Sequence, residues 1–493
     1  SPTDSGAGKE LLKSASTAIT SVNGVYRSMW TAGWSTTANT HQCFGIAAYN
    51  LALDCMADDL IMQSQGNGWF WGDHCYNVKS NYTSSAFRSY DVWYANYKWI
   101  ANVNYIIDAE PEMAGTEADV AYVAGQAYAI RALCYLNLAT WFSRAPYNSL
   151  TGASRWNEPC VPVYTTGTSI DTGGQPRESL RTVYGRIDQD IDRAIELLEK
   201  ARETTLAENN KSHINLYVAL GIKSRACLAE GDWDGAFKAA KRVIDEGGYA
   251  VGTKSDLTGG MNSLDKQNVM WGAGIQVADQ AGGYAGFFTH MDNKEGAYAK
   301  SAPKLISKQL YNRISATDIR RDWWDPSDKE SPYVSKKFSF ANVASFLGDY
   351  IYMRVEEMYF TAAEAALRLD DLKSARELMN TVMAERDPGY SANNRSGTLL
   401  GATTTTWTGS FLENILTHRR IELWGEYGRL FDVRRLGQGI DRRTDDGFSE
   451  ECISMMNRRN VNITKADTYD WVLTIPKAEL DANPNINEED QNP

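Results

Sequence analysis

Two stretches of this chain repeat one pattern, and that repetition limits the fold more than any other feature. YVALGIKSRACLAEGDWDGAFKAAKRVI (217–244) and MYFTAAEAALRLDDLKSARELMNTVM (358–383) align with Ala226 on Ala365, Asp232 on Asp371, Trp233 on Leu372, Ala236 on Ala375 and Val243 on Val382. Each reads as a helix, a tight Asp-containing turn, and a second helix with small residues where the two backbones approach. Neither helix of such a hairpin buries its apolar face without a neighbour, which is the logic of tetratricopeptide-like repeats. Three longer helical patterns precede and join them. Tyr90 to Ile107 carries apolar residues at helical spacing. Glu117 to Phe142 returns Val123, Ala127, Ile130, Leu138 and Trp141 to one face, and Leu180 to Ala201 forms one apolar stripe flanked by acids. Proline, 13 residues in 493, is scarce enough to suit a helix-rich chain.

A length of 493 residues exceeds one ordinary core. The formal net charge of −12 is the wrong sign for a phosphate-binding surface, so nucleic acid is not expected as a partner. The longest uncharged stretch, Ser28 to Leu53, is interrupted by Thr31, Thr36, Thr37, Asn39, Thr40 and Gln42 and fails as a membrane span. The seven cysteines show no metal spacing, and Cys134 and Cys227 sit in apolar helical settings that suit buried free thiols. The chain contains no GxSxG, HExxH, Walker loop or GxGxxG, and its five histidines share no metal-binding spacing. Two acidic pairs, Asp58-Asp59 and the ends of DWWD (Asp322, Asp325), are the candidates for hydrolytic chemistry; both read better as solvated turns or caps. No catalytic residue, metal or cofactor is expected.

The positive signal is aromatic. GNGWFWGDHCYN places Trp69, Phe70 and Trp71 in a row between Gly68 and Gly72, followed by Asp73, Tyr76 and Asn77. Three successive rings cannot all face one core from a regular strand, because side chains alternate faces. Glycine on both sides favours a sharply turned segment that displays rings. Flat aromatic faces suit the apolar C–H faces of sugars, with Asp and Asn bonding the hydroxyls. A second group, 271–298, holds Tyr284, Phe287, Phe288, His290 and Tyr298 after Gly282-Gly283, while Trp271 reads as a core strand residue. Trp323 and Trp324 form a third, with at least one ring expected inside, and Arg88 and Arg320 are possible donors to hydroxyls. The expected ligand-binding residues are therefore Trp69, Trp71, Asp73, Tyr76, Asn77, Tyr284, Phe287 and Trp323.

Five ordered blocks resemble those of the SusD/RagB family: 126–147, 231–249, 352–367, 418–437 (HRRIELWGEYGRLFDVRRLG, the sharpest) and 475–486. RVEEMYF departs from the commoner arginine-tyrosine-alanine-glutamate opening of its block. The resemblance implies a mainly α fold, a tetratricopeptide-like scaffold carrying a lobe of loops and short strands. It implies a single unit over 10–493, with the scaffold mainly in 90–247, 350–386 and 410–437, and the ligand lobe mainly in 40–88, 248–349 and 387–409. Residues 1–9 then read as tether, below an N-terminal lipid anchor that places the protein on the outer-membrane surface. The implied function is non-catalytic: capture of oligosaccharide or polysaccharide for a SusC-like TonB-dependent transporter. Peptide cargo, as in the RagB branch, and docking without a soluble ligand are the alternatives.

Overall fold

The computed structural model describes residues 6–35, 39–77, 86–275 and 284–493. In chain order, the longer helices and the short ones that bear on the site are α1 (Ala15–Ser28), α2 (Ile46–Cys55), α3 (Trp71–His74), α4 (Phe87–Ala109), α5 (Glu117–Phe142), α6 (Leu180–Lys200), α7 (Leu216–Glu230), α8 (Trp233–Glu246), α9 (Phe287–Met291), α10 (Ala297–Ser301), α11 (Val355–Arg368), α12 (Leu372–Ala384), α13 (Phe411–Glu422), α14 (Arg429–Leu436) and α15 (Lys477–Ala482). The mainly helical class read from periodicity is what forms.

The two similar stretches become the hairpins α7–α8 and α11–α12. Their turns close alike: the Asp232 carboxylate accepts the Gly235 N–H at 2.9 Å, and Asp371 accepts that of Ser374 at 3.1 Å. A cap of this kind contributes about 1 kcal/mol. Ala226, Ala236, Ala365 and Ala375 are all buried. Ala236 and Ala365 share an apolar cluster with Cys227 and Leu228, so one hairpin covers the other. Helices α4, α5, α6 and α7 stack in sequence against this array. Gly125 marks the close approach of α5 to α6, where an added Cβ would lie 2.9 Å from Leu198 Cγ.

Among the described residues six short strands complete the fold: β1 (Leu60–Met62), β2 (Val269–Ala273), β3 (Lys304–Ile306), β4 (Trp324–Asp325), β5 (Val334–Ser335) and β6 (Tyr350–Arg354). An antiparallel sheet runs in the order β1-β3-β5-β4, with Leu60 opposite Ile306 and Trp324 opposite Ser335. Strands β2 and β6 pair separately, and β6 leads directly into α11. Trp271 is buried in β2, as its setting predicted. All seven cysteines are buried and free. The tether expected over 1–9 meets a helix at Gly6–Leu11, and residues 1–5 lie outside the described residues.

The arginine-rich block 418–437 joins the scaffold to the strands. Buried Glu422 accepts from Arg386 Nε at 2.7 Å, Arg354 Nη1 at 3.0 Å and Arg320 Nη1 at 3.4 Å. Burial pushes its carboxyl up, but Arg386, Arg354 and Arg320 outweigh that and hold it well below the ordinary glutamate range. Asp432 bridges Arg419 and Arg435, and Glu426 pairs with Lys337 and Arg354. The same block takes Asp58-Asp59 into buried ion pairs. Arg420 Nη2 lies 2.7 Å from Asp59, and Arg429 Nε lies 3.1 Å from Asp58. Burial raises the Asp58 carboxyl, yet Arg429 and Arg420 bring it down to about 2, so it carries no proton to donate near neutrality. In DWWD, Asp322 is largely exposed, and Asp325 accepts from the Ser327 backbone N–H within its own turn.

Candidate functional site

The segment after β1 turns sharply rather than running as a strand. Gly66 and Gly68 take positive φ, and so does Phe70 at 63°. The Phe70 N–H donates to the buried Gln42 side chain at 2.8 Å, which fixes the reversal. Helix α3 starts at the next residue. Alternation therefore never applies to the three rings. Phe70 goes fully inside against Phe44 and His290, Trp71 is buried at the start of α3, and Trp69 alone stays half-buried.

Trp69 opens a continuous run of rings. Its indole stacks on the His41 imidazole, with centroids 5.0 Å apart and planes 13° apart. Tyr298 meets both edge-on, and its hydroxyl is hydrogen-bonded to His41 Nδ1. Tyr284 meets Tyr298 at 5.5 Å, and Phe346 meets Tyr284 at 5.1 Å. Tyr284 is 44% exposed and Phe346 40%, large values for aromatic residues. Below the run His290 is fully buried and donates from Nε2 to the His41 carbonyl at 2.6 Å. Burial holds this histidine well below its ordinary pKa, and therefore neutral. The Trp69 Nε1 is itself buried, with no hydrogen-bond partner among the described residues. Gln65 and Asn67 stand exposed on the same turn. The arrangement offers flat apolar faces beside amide groups, which suits stacking with polar anchoring.

The expected site residues separate accordingly. Trp69 and Tyr284 belong to the ring run. Asn77 is exposed at the end of α3, beside residues 78–85, which lie outside the described residues, as does Gly282-Gly283. The other five are corrected by burial. Trp71 is in the core. Asp73 is fully buried in an ion pair with Arg88, Nε to Oδ1 2.9 Å. Tyr76 is fully buried, and its hydroxyl donates to the Met56 carbonyl at 2.6 Å. Phe287 packs on Phe288 and Phe338 beside a cavity of only about 20 Å3, too small for a sugar. Trp323 donates its indole N–H to the Leu257 carbonyl, with Lys337 Nζ 4.2 Å from its ring centroid. Arg88 and Arg320 are likewise committed to buried carboxylates. Sequence reasoning missed His41 and Phe346. Phe346 stands among small and polar residues in ANVASFLGDY, a context that signals display; nothing local marks His41. Among the described residues no group of three or more His, Cys, Asp or Glu is placed to hold a metal ion, and no helix is long and apolar enough to cross a membrane.

Two family models match the sequence. One, the SusD family, covers residues 298–493, and the other, described as starch-binding associating with outer membrane, covers residues 22–228. No curated protein sequence matches the chain. Among solved structures, a SusD-like carbohydrate-binding protein from Bacteroides vulgatus is 26% identical. It superimposes with a TM-score of 0.76 over 97% of this chain and 98% of its own. A SusD superfamily protein from Bacteroides thetaiotaomicron is 22% identical, with a TM-score of 0.77 over 97% of this chain and all of its own. The fold is also that of surface glycan-binding protein A from Bacteroides thetaiotaomicron, solved with laminarihexaose, at 15% identity and a TM-score of 0.66 over 97% and 99% of the two chains. The family models meet the chain at both ends, the structural likeness runs along nearly all of it, and the chain belongs to the SusD/RagB family.

Proposed function

We propose that this protein is a non-catalytic glycan-binding protein of the outer-membrane surface, which captures oligosaccharide on the Trp69–Tyr284–Phe346 face. The observation that carries the reading is the run of touching rings, partly exposed at three places and ending in an indole N–H without a partner. A pyranose laid on such rings buries its C–H face, and its hydroxyls reach the amides of Gln65 and Asn67. Family membership supports carbohydrate as the ligand class, and so does the laminarihexaose bound by a protein of the same fold. The ion pairing of Asp58 and Asp59 agrees with binding without hydrolysis. Delivery to a SusC-like TonB-dependent transporter, and anchoring through an N-terminal lipid, complete the proposal.

Isothermal titration against host, plant and bacterial glycans, with a peptide digest alongside, tests it. Saturable binding to one glycan class, weakened about 10–100-fold by Trp69→Ala, is the expected result. Binding to peptides alone would replace sugar with peptide as cargo. Co-purification of the lipid-anchored protein with a TonB-dependent transporter tests delivery, and its failure would leave capture without a partner.

A further inference from the structure

Helix α4 carries a second ring-lined feature away from this face. Tyr94 and Tyr97 on α4, Tyr164 and Gly173 in the connection between α5 and α6, and Glu479 on α15 enclose a groove with a volume of about 230 Å3. Its walls are fixed. The Tyr97 hydroxyl donates to the Pro162 carbonyl at 2.7 Å, and its ring meets Tyr164 edge-on at 5.7 Å. The Asn483 amide donates to the Gln175 carbonyl at 2.9 Å, and that of Asn485 donates to the Gly174 carbonyl at 2.6 Å, tying the loop to the C-terminal segment. A Cβ on Gly174 would strike Asn483 at 2.4 Å, whereas Gly173 faces open space, so the rim beside it stays unobstructed.

Two polar groups in the groove have capacity to spare. The Tyr94 ring lies against Tyr90 at 4.5 Å, yet its hydroxyl has no hydrogen-bond partner among the described residues. Glu479 is half-buried, accepting from the Asn483 amide at 3.1 Å and from the Trp93 indole, and burial lifts its carboxyl above the ordinary glutamate pKa even against these two donors. A carboxylate kept partly out of water with few donors is a ready acceptor for ligand hydroxyls. Thr168 and Ser169 at the rim add hydroxyl groups.

The geometry points to a second saccharide subsite, in which a single pyranose ring stacks on Tyr94 and Tyr97 and gives hydroxyl hydrogen bonds to Glu479. The choice of sugar as ligand rests on the glycan-binding reading above; the groove and its lining do not. The volume admits one sugar ring.

Saturation-transfer NMR with methyl glycosides of glucose, galactose, mannose and N-acetylglucosamine tests this on four proteins: wild type, Trp69→Ala, Tyr94→Ala and Glu479→Gln. The expected result is that at least one glycoside keeps its signal in Trp69→Ala. That glycoside should lose about tenfold in affinity in both Tyr94→Ala and Glu479→Gln. Glu479→Gln keeps the side chain's shape, so its effect is read without disturbing α15. No signal from any glycoside overturns the subsite, as does a signal untouched by the two groove variants or abolished by Trp69→Ala alone. Failure of the Trp69 face reads differently: oligosaccharide binding by titration would survive Trp69→Ala unchanged.

Discussion

The arginine-rich junction and the ring run solve opposite problems with side chains of similar size. In the junction buried charges pair with one another: three guanidiniums converge on Glu422, and Arg420 and Arg429 on Asp58 and Asp59. On the ring run the large groups are apolar, three are partly open to solvent, and the Trp69 indole N–H is left over. A region whose interactions are all internal serves the fold. One with aromatic faces open to solvent is prepared for something outside the chain. The comparison therefore forecasts where stability and binding separate.

Glu422→Ala gives the largest effect. It leaves Arg320, Arg354 and Arg386 buried around a missing charge, and breaking such a set costs about 3–5 kcal/mol. Urea denaturation should show that loss, or the protein should fail to accumulate folded; a change below about 1 kcal/mol would break the comparison. Acid comes next. Asp58 is held at about 2 in the folded protein against an ordinary 3.8, so its contribution is complete above about pH 4. It is lost as pH falls from there towards 2, removing about 2 kcal/mol by linkage. Urea midpoints between pH 6 and 2.5 should fall in that window, and Asp58→Asn should flatten the fall.

On the other side of the comparison, Trp69→Ala should weaken glycan binding about 10–100-fold while changing stability by about 1 kcal/mol. Titration and melting of one sample give both numbers, and a stability loss as large as that of Glu422→Ala would assign Trp69 to the core. Tyr284→Ala and Phe346→Ala are the mildest. Each removes two edge contacts and one exposed ring face, worth about 0.5–1.5 kcal/mol of binding. If both leave affinity unchanged, the ligand stays on Trp69 and the run is shorter than its rings.

What the sequence made legible follows the same division. Helices α4 to α8, α11 and α12 rest on spacing of 3.6, and α8 and α12 on capping aspartates as well, information contained within some twenty residues. Trp69 and Tyr284 were readable because glycines beside them mark turns. Trp71, Tyr76 and Trp323 looked equivalent to Trp69 in composition, but distant partners decide their burial. Tyr76 bonds to Met56 under the Arg442 guanidinium, and Trp323 bonds to Leu257 under Lys337. Phe70 in the left-handed region settled the rest: one non-glycine residue with positive φ sends Trp69 and Trp71 to different surroundings. His41 carried no local sign, since its role comes from Trp69 and Tyr298 closing over it.

The bond between Arg420 and Asp59 also fixes an order of events in time, because 361 residues separate them. At about 5–20 residues per second, roughly 20–70 s of synthesis pass between the emergence of the acid and that of its partner. Over that interval Asp58 and Asp59 remain hydrated, and β1 beside them waits for its final anchorage. The α7–α8 hairpin is complete about 170 residues before Arg420 is made, whereas α11–α12 precedes it by only about forty. Asp58 and Asp59 are thus made early and paired late, and β1 is locked in place only once the C-terminal helices exist.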